Sequence, residues 1–334
     1  EAMMWEAAGD GRTHCFLCGH HCIINDGKRG ICHVRENRGG ILYTLVYDQV
    51  IARHVDPIEK KPLFHFLPGS MSYSIATPGC NFRCMFCQNA DIAQMPRDSK
   101  LIIGQPAPPE TIVADAVKSR CKSISYTYTE PTIFFELAYD TARIAHDNGI
   151  KNVFVTNGYI TKEALEKIRP YLDAANIDLK GFSAGFYRKV CGADLDKVLA
   201  SIKLYYDLGI WIELTTLIIP NHNDSPGELR EIARFIASID PGIPWHVTRY
   251  HPTYRLTDQP PTPLSTIELA RDIGYSEGLK YVYAGNVPGQ GGEDTNCPSC
   301  GRTLIRRYGN SVIEYSVKDG GCGGCGAKID GVGL

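Results

Sequence analysis

The chain has 334 residues, of which 43% are hydrophobic, enough for one sizeable catalytic core with small appendages and unlike a disordered protein. Its formal charge of −2, from 35 basic and 37 acidic side chains, gives no basic field to steer a polyanion, so nucleic acid is not an expected partner. No apolar run reaches the length of a membrane span, and the opening Glu1-Ala2-Met3-Met4-Trp5 lacks the charged-then-apolar layout of a signal peptide, so a cytoplasmic protein without membrane attachment is expected. The first residue, Glu1, reads as a trimmed end, and nothing is built on it.

Thirteen cysteines could form a disulfide scaffold, but such scaffolds are short and secreted, whereas here the cysteines recur in C-x2-C spacings of a long chain. Metal is the better reading. The first set, Cys15, Cys18, Cys22 and Cys32, suits either zinc, the preferred choice, or an auxiliary iron–sulfur cluster, with His14, His20, His21 and His33 as nearby substitutes. Residues 1–68 are taken as an N-terminal metal-binding segment that ends in an extended hairpin or pair of strands over Ile41–Val55 and the Pro57–Pro62 turn. Cys121 and Cys191 stand alone and read as small buried hydrophobes.

Residues 69–290 alternate short apolar or β-branched runs with amphipathic stretches, the pattern of βα units around a parallel sheet. Strands are expected at Met71–Thr77, Ser123–Tyr128, Asn152–Thr156, Ala175–Leu179, Trp211–Ile219, Trp245–Tyr250 and Tyr281–Tyr283. Between them, Phe134, Leu137, Ala138, Thr141, Ala142 and Ala145 fall on one helical face, as do Leu229, Ile232, Ala233 and Ile236.

The first of these strands runs into Cys80-Asn81-Phe82-Arg83-Cys84-Met85-Phe86-Cys87. Structural zinc takes four protein ligands, whereas three thiolates on a four-iron cluster leave one iron open to an outside ligand. This C-x3-C-x2-C loop with Phe86 before the third cysteine resembles the hallmark of the radical S-adenosylmethionine (SAM) superfamily. The resemblance implies a partial (β/α)6 barrel and a [4Fe-4S] cluster on Cys80, Cys84 and Cys87. It also implies reductive cleavage of SAM to a 5′-deoxyadenosyl radical that abstracts hydrogen from a substrate the sequence does not identify, with an electron donor such as flavodoxin or ferredoxin.

Ligands of an open α/β barrel sit at the carboxyl ends of its strands. There the sequence places Thr129-Glu130, Thr156-Asn157, Asp178 with Lys180, and the polar sixth strand carrying His246 and Arg249. The arrangement resembles pyruvate formate-lyase activating enzymes, which implies that Thr129-Glu130 replaces a glycine-rich motif near the SAM amino group. On the same grounds Thr156 and Asn157 lie toward the ribose, and Asp178 and Lys180 flank the cofactor. His246 and Arg249 are read as contacts to cofactor or substrate. The resemblance departs at Val155, where glycyl-radical activases carry an Asp that helps hold a monovalent cation. Singly, each residue also has a plain structural reading as a turn or helix cap.

The last 44 positions, 291–334, follow the breaker-rich Pro288–Gly292 linker and carry Cys297-x2-Cys300 and Cys322-x2-Cys325, a zinc-ribbon or rubredoxin-like signature for zinc or iron, with zinc preferred. Together with Cys15–Cys32, Cys84–Asn89 and Tyr128–Pro131, the whole pattern resembles the AmmeMemoRadiSam-system radical SAM proteins. That implies association with Memo-type and AMME-type partners. Two alternatives stay open: an activase that places a glycyl radical on a partner enzyme, and a noncatalytic zinc or redox-sensing metal protein.

Overall fold

A computed structural model describes residues 1–287, Gly289 and residues 291–334; of the expected linker, Pro288 and Gln290 lie outside the described residues. Its centre is a sheet of eight strands. Seven are parallel and follow one another in space as in sequence: Met71–Ala76, Ser123–Tyr126, Lys151–Thr156, Ala174–Asp178, Trp211–Ile218, Trp245–Arg249 and Val282–Gly285. All seven expected strands are present, with bounds displaced by one or two residues, and six helical crossovers join them into an open, barrel-like α/β sheet. Because every strand is parallel to the next, all the carboxyl ends lie on one rim.

The helices form where the sequence places an apolar stripe and a cap. Helix Pro226–Ile239 starts at Ser225, whose hydroxyl accepts the Glu228 N–H at 3.2 Å, with Pro226 in the first turn where it costs no hydrogen bond. It buries Leu229, Ile232, Ala233 and Ile236, each large aliphatic contributing about 2 kcal/mol. Helix Phe135–Asp147 buries Leu137, Ala138, Thr141, Ala142 and Ala145 in the same way.

Over Ile41–Val55 the structure has two separate strands, not one hairpin. Gly39 and Gly40, at φ of 62° and 85°, turn the chain before Ile41, so Ile41–Thr44 pairs back onto Arg35–Arg38. Ala52–Pro57 separates from it and pairs antiparallel with Met71–Ala76, as the edge strand of the main sheet. Ahead of these, Trp5–Ala7, Thr13–Cys15 and Cys22–Ile24 form a three-stranded antiparallel sheet. This N-terminal part is fastened to the barrel by a buried ion pair between Arg35 and Glu136 and by the Gly19 N–H donating to the Tyr159 carbonyl at 3.0 Å.

At the other end, Thr303–Tyr308 and Ser311–Tyr315 pair as an antiparallel ribbon that leaves Ile313 and Tyr315 exposed. A hydrogen-bonded chain ties the ribbon to the barrel. Arg307 donates to the Thr295 hydroxyl at 2.8 Å, which stands 2.8 Å from Tyr283 Oη, which in turn is 2.5 Å from His65 Nε2. His65 Nδ1 lies 2.6 Å from the Asp330 carbonyl, which can only accept, so Nδ1 carries the proton and Nε2 accepts from Tyr283. Neutral His65 completes the chain. Burial lowers the His65 pKa to about 4, below the ordinary 6.5.

The unfolded chain therefore binds a proton at His65 between pH 6.5 and 4 that the folded chain refuses, so stability is lost as pH drops through that window. Urea denaturation of wild type should lose about 2 kcal/mol from this residue between pH 7 and 5. The His65→Gln protein should show a correspondingly shallower slope, and equal slopes would contradict the assignment.

Candidate active site

The loop after the first parallel strand carries Cys80, Cys84 and Cys87 to the rim, where all three line a cavity of about 650 Å³. The loop is held by its neighbours: the Arg83 N–H donates to the Cys191 carbonyl at 2.9 Å, and the Met85 N–H to the Val190 carbonyl at 3.1 Å. Between the cysteines Phe82 is 1% exposed and Phe86 3%, and both line the same cavity as the three cysteines. Burial pushes the Cys80 thiol well up and that of Cys87 to about 11. A hydrogen bond from Cys191 leads the opposing effects that hold Cys84 down. The lone Cys191 of the sequence is thus a packing neighbour of the triplet.

Among the described residues these three sulfurs are not gathered within 4.8 Å of one another, as a single tetrahedral ion would require. Three spread thiolates around a large cavity fit a multi-iron cluster with one iron left for an outside ligand.

The next two strand ends meet at Glu130. Its carboxylate is 2% exposed and accepts four hydrogen bonds: from the Thr132 N–H at 3.0 Å, the Thr132 hydroxyl at 2.6 Å, the Thr156 hydroxyl at 2.7 Å and the Asn157 N–H at 2.8 Å. Burial still raises its pKa above the ordinary range. Asn157 then donates to Asn81 Oδ1 at 2.7 Å and approaches Cys80 Sγ at 3.8 Å, so the third strand end is clamped directly to the cysteine loop. Thr129 donates to the Thr77 carbonyl at 2.7 Å, closing the same ring from the first strand.

Before Thr129, Tyr128 has a φ of 62°, a left-handed conformation unusual for a large side chain. It is held by Asn89 Nδ2 donating to its carbonyl at 2.8 Å and by its hydroxyl donating to Asp56. The turn before Thr129-Glu130 is thus made by a strapped tyrosine.

Asp178 and Lys180 bond at 2.8 Å on the cavity wall. Burial would lower Lys180, but the charge of Asp178 and the neighbouring thiols hold it well above its ordinary value, so it stays cationic. His246 also lines the cavity, its Nε2 2.7 Å from Glu213, which in addition accepts the Phe64 and His65 N–H groups at 2.9 and 2.7 Å. Arg249, on the opposite face of that strand, is not among the lining residues; its Nε donates to the Thr262 carbonyl at 2.8 Å. Asn176, which no sequence motif singled out, bonds to Thr215 at 2.9 Å inside the barrel, and Lys60, Lys61 and Glu293 line the same cavity. A polar Asn within the apolar run Ala174–Leu179 was the available signal.

In the C-terminal ribbon, Cys297, Cys300, Cys322 and Cys325 are the one set of three or more metal-type ligands among the described residues whose ligand atoms all lie within 4.8 Å. Their sulfurs pair at 3.7 Å, Cys297 with Cys325 and Cys300 with Cys322, close to the edge of about 3.8 Å that a tetrahedron of 2.3 Å zinc–sulfur bonds demands. This set fits a single ion.

Residues 74–236 match the sequence pattern of the Radical SAM superfamily. The chain is 50% identical to the uncharacterized protein MJ0808 of Methanocaldococcus jannaschii over 333 residues, 99% of this chain and 98% of that one. A second protein of that organism, MJ1632, described as a candidate glycyl-radical enzyme activating enzyme, is 25% identical over 190 residues, 53% of this chain and 66% of its own. The fold is like that of a radical SAM methyltransferase from Sphaerobacter thermophilus, with a TM-score of 0.50 at 13% identity over 70% of each chain.

Replacing Glu130 by Ala strands four donors, three of them on buried Thr132 and Asn157 or their backbone, and should cost about 3 kcal/mol. Chemical denaturation checks this, and a loss under 1 kcal/mol would show that the carboxylate does not brace the rim.

Proposed function

The chain belongs to the radical SAM superfamily, and we propose that it is an enzyme that binds a [4Fe-4S] cluster on Cys80, Cys84 and Cys87 and cleaves SAM reductively to start hydrogen abstraction from a polar substrate. One observation carries this reading: the three thiolates face a cavity of about 650 Å³ whose walls are the polar strand ends Thr129, Thr156, Asn157, Asp178, Lys180 and His246. When bound, cluster and SAM supply a 5′-deoxyadenosyl radical, which takes hydrogen from an unactivated carbon.

The protein's part is binding, orientation and exclusion of water. Asn157, fixed through Glu130 and Asn81, holds its amide 3.8 Å from Cys80 Sγ, where it would orient that cluster ligand. Lys180 and Asp178 present a charged pair for the amino acid or ribose end of the cofactor, with Lys180 Nζ 5.7 Å from the Phe86 ring centre. Phe82, Phe86 and Leu217 supply the apolar part of the wall. His246 is held by Glu213 in one orientation and faces the remaining volume. Beyond it the wall is Glu59, Lys60, Lys61, Asn286, Glu293 and Asn310, a surface that suits a substrate with both charges or several hydrogen-bonding groups.

The likeness to MJ1632 supports the narrower reading of a glycyl-radical activase, and the motif pattern supports an AmmeMemoRadiSam-type enzyme with Memo-type and AMME-type partners, fed by a flavodoxin or ferredoxin. The spacing of the ribbon sulfurs supports zinc there as a structural ion.

Anaerobically reconstituted wild type, reduced with dithionite in the presence of SAM, should release 5′-deoxyadenosine. The Cys84→Ala protein should release at least 100-fold less, since loss of one cluster ligand leaves the inner-sphere geometry unmade. Equal release from both proteins would remove the site from the triplet. An activase would in addition give a glycyl-radical EPR doublet on a partner enzyme.

A further inference from the structure

Cys15, Cys18, Cys22 and Cys32 line one small cavity with Leu17, Ile24 and Ile133, closed on one side by Arg35. They form a single site, since all four cysteines border the same space, yet no three of their sulfurs lie within 4.8 Å of one another. The molecule supplies its own scale for that spacing. The ribbon sulfurs, at 3.7 Å, are gathered as one tetrahedral ion requires, while the sulfurs of the barrel triplet stand apart. The N-terminal set follows the triplet and not the ribbon. When each thiolate binds a different iron, the sulfurs must stand farther apart than the edge of a one-ion tetrahedron.

The surroundings agree with an anionic group larger than an ion. Arg35 is 1% exposed and donates from Nη1 to Cys15 Sγ at 3.3 Å, and its Nε has no hydrogen-bond partner although fully buried. Its other guanidinium nitrogen is engaged by Glu136. Four thiols bordered by Leu17, Ile24, Ile133, His20 and the Glu136-paired Arg35, whose Nη1 donates to Cys15 and whose Nε has no partner, form a setting in which a thiolate-bound cluster would be shielded from water and hydrogen-bonded. The site also abuts the barrel loop: His20 Nε2 lies 2.9 Å from the Asn81 carbonyl, one residue from Cys80.

We propose that Cys15, Cys18, Cys22 and Cys32 ligate a second iron–sulfur cluster, so that the chain carries two clusters and one single-ion site. This assignment does not rest on SAM chemistry at the barrel. It is tested with the full chain, reconstituted anaerobically with ferrous iron and sulfide and desalted. Iron, sulfide and zinc are counted and Mössbauer spectra recorded for wild type, Cys84→Ala and Cys18→Ala/Cys22→Ala.

The Cys84→Ala protein, whose N-terminal set is intact, should keep a cluster spectrum with iron lowered by about half. The double variant should lose a comparable share, and zinc should stay near one equivalent per chain. Cys84→Ala protein with no cluster iron and two zinc equivalents would overturn the proposal, whatever the folding of the double variant. SAM titration by calorimetry separates the two readings. Two clusters without SAM binding would count against the barrel reading alone, and SAM binding by protein with one cluster and two zinc ions would count against the second cluster alone.

Discussion

The buried carboxylate of Glu130 is the constraint on which the rest of the rim depends. It carries no cationic partner among its hydrogen-bond donors, which are two threonine hydroxyls and two backbone N–H groups from consecutive strand ends. Such a group is costly to bury and is stable only while every donor stays in place. It therefore fixes the positions of Thr156 and Asn157 together, and through Asn157 and Asn81 it fixes the loop that bears Cys80. A site that must hold three thiolates apart, facing one cavity, needs that stiffness.

A second buried carboxylate does similar work on the far side. Glu213 takes the N–H groups of Phe64 and His65 and orients His246 toward the cavity. The His65–Tyr283–Thr295–Arg307 chain extends the same frame into the ribbon. Thus the cavity is bounded by the barrel, by the segment that precedes it and by the C-terminal residues Glu293, Gly309 and Asn310.

Much of this was legible in the sequence, for local reasons. The strands were readable because apolar and β-branched runs alternate with amphipathic helices, and the triplet because its spacing is itself chemical information. The Ile41–Val55 pairing was not, because the partner of a strand is decided by turns such as Gly39-Gly40 and by which sheet edge is free, and neither is a property of the run. Glu130 was visible as a rim residue, but its role as a brace emerges only when the donors of two strands converge. His246 and Arg249, neighbours on one strand, are separated by the alternation of faces: one lines the cavity and the other bonds to Thr262. The two four-cysteine sets differ in spacing, yet zinc is the preferred reading of both from sequence, and the distances between their sulfurs separate them.

The central claim is that Cys80, Cys84 and Cys87 hold a cluster with one iron open to SAM in this cavity. Low-temperature EPR of the dithionite-reduced protein, titrated with SAM, tests it most directly. The account predicts that the signal of one reduced cluster changes its g values and line shape as SAM saturates, and that this responsive signal is missing from the Cys84→Ala protein. A spectrum identical with and without saturating SAM would contradict it.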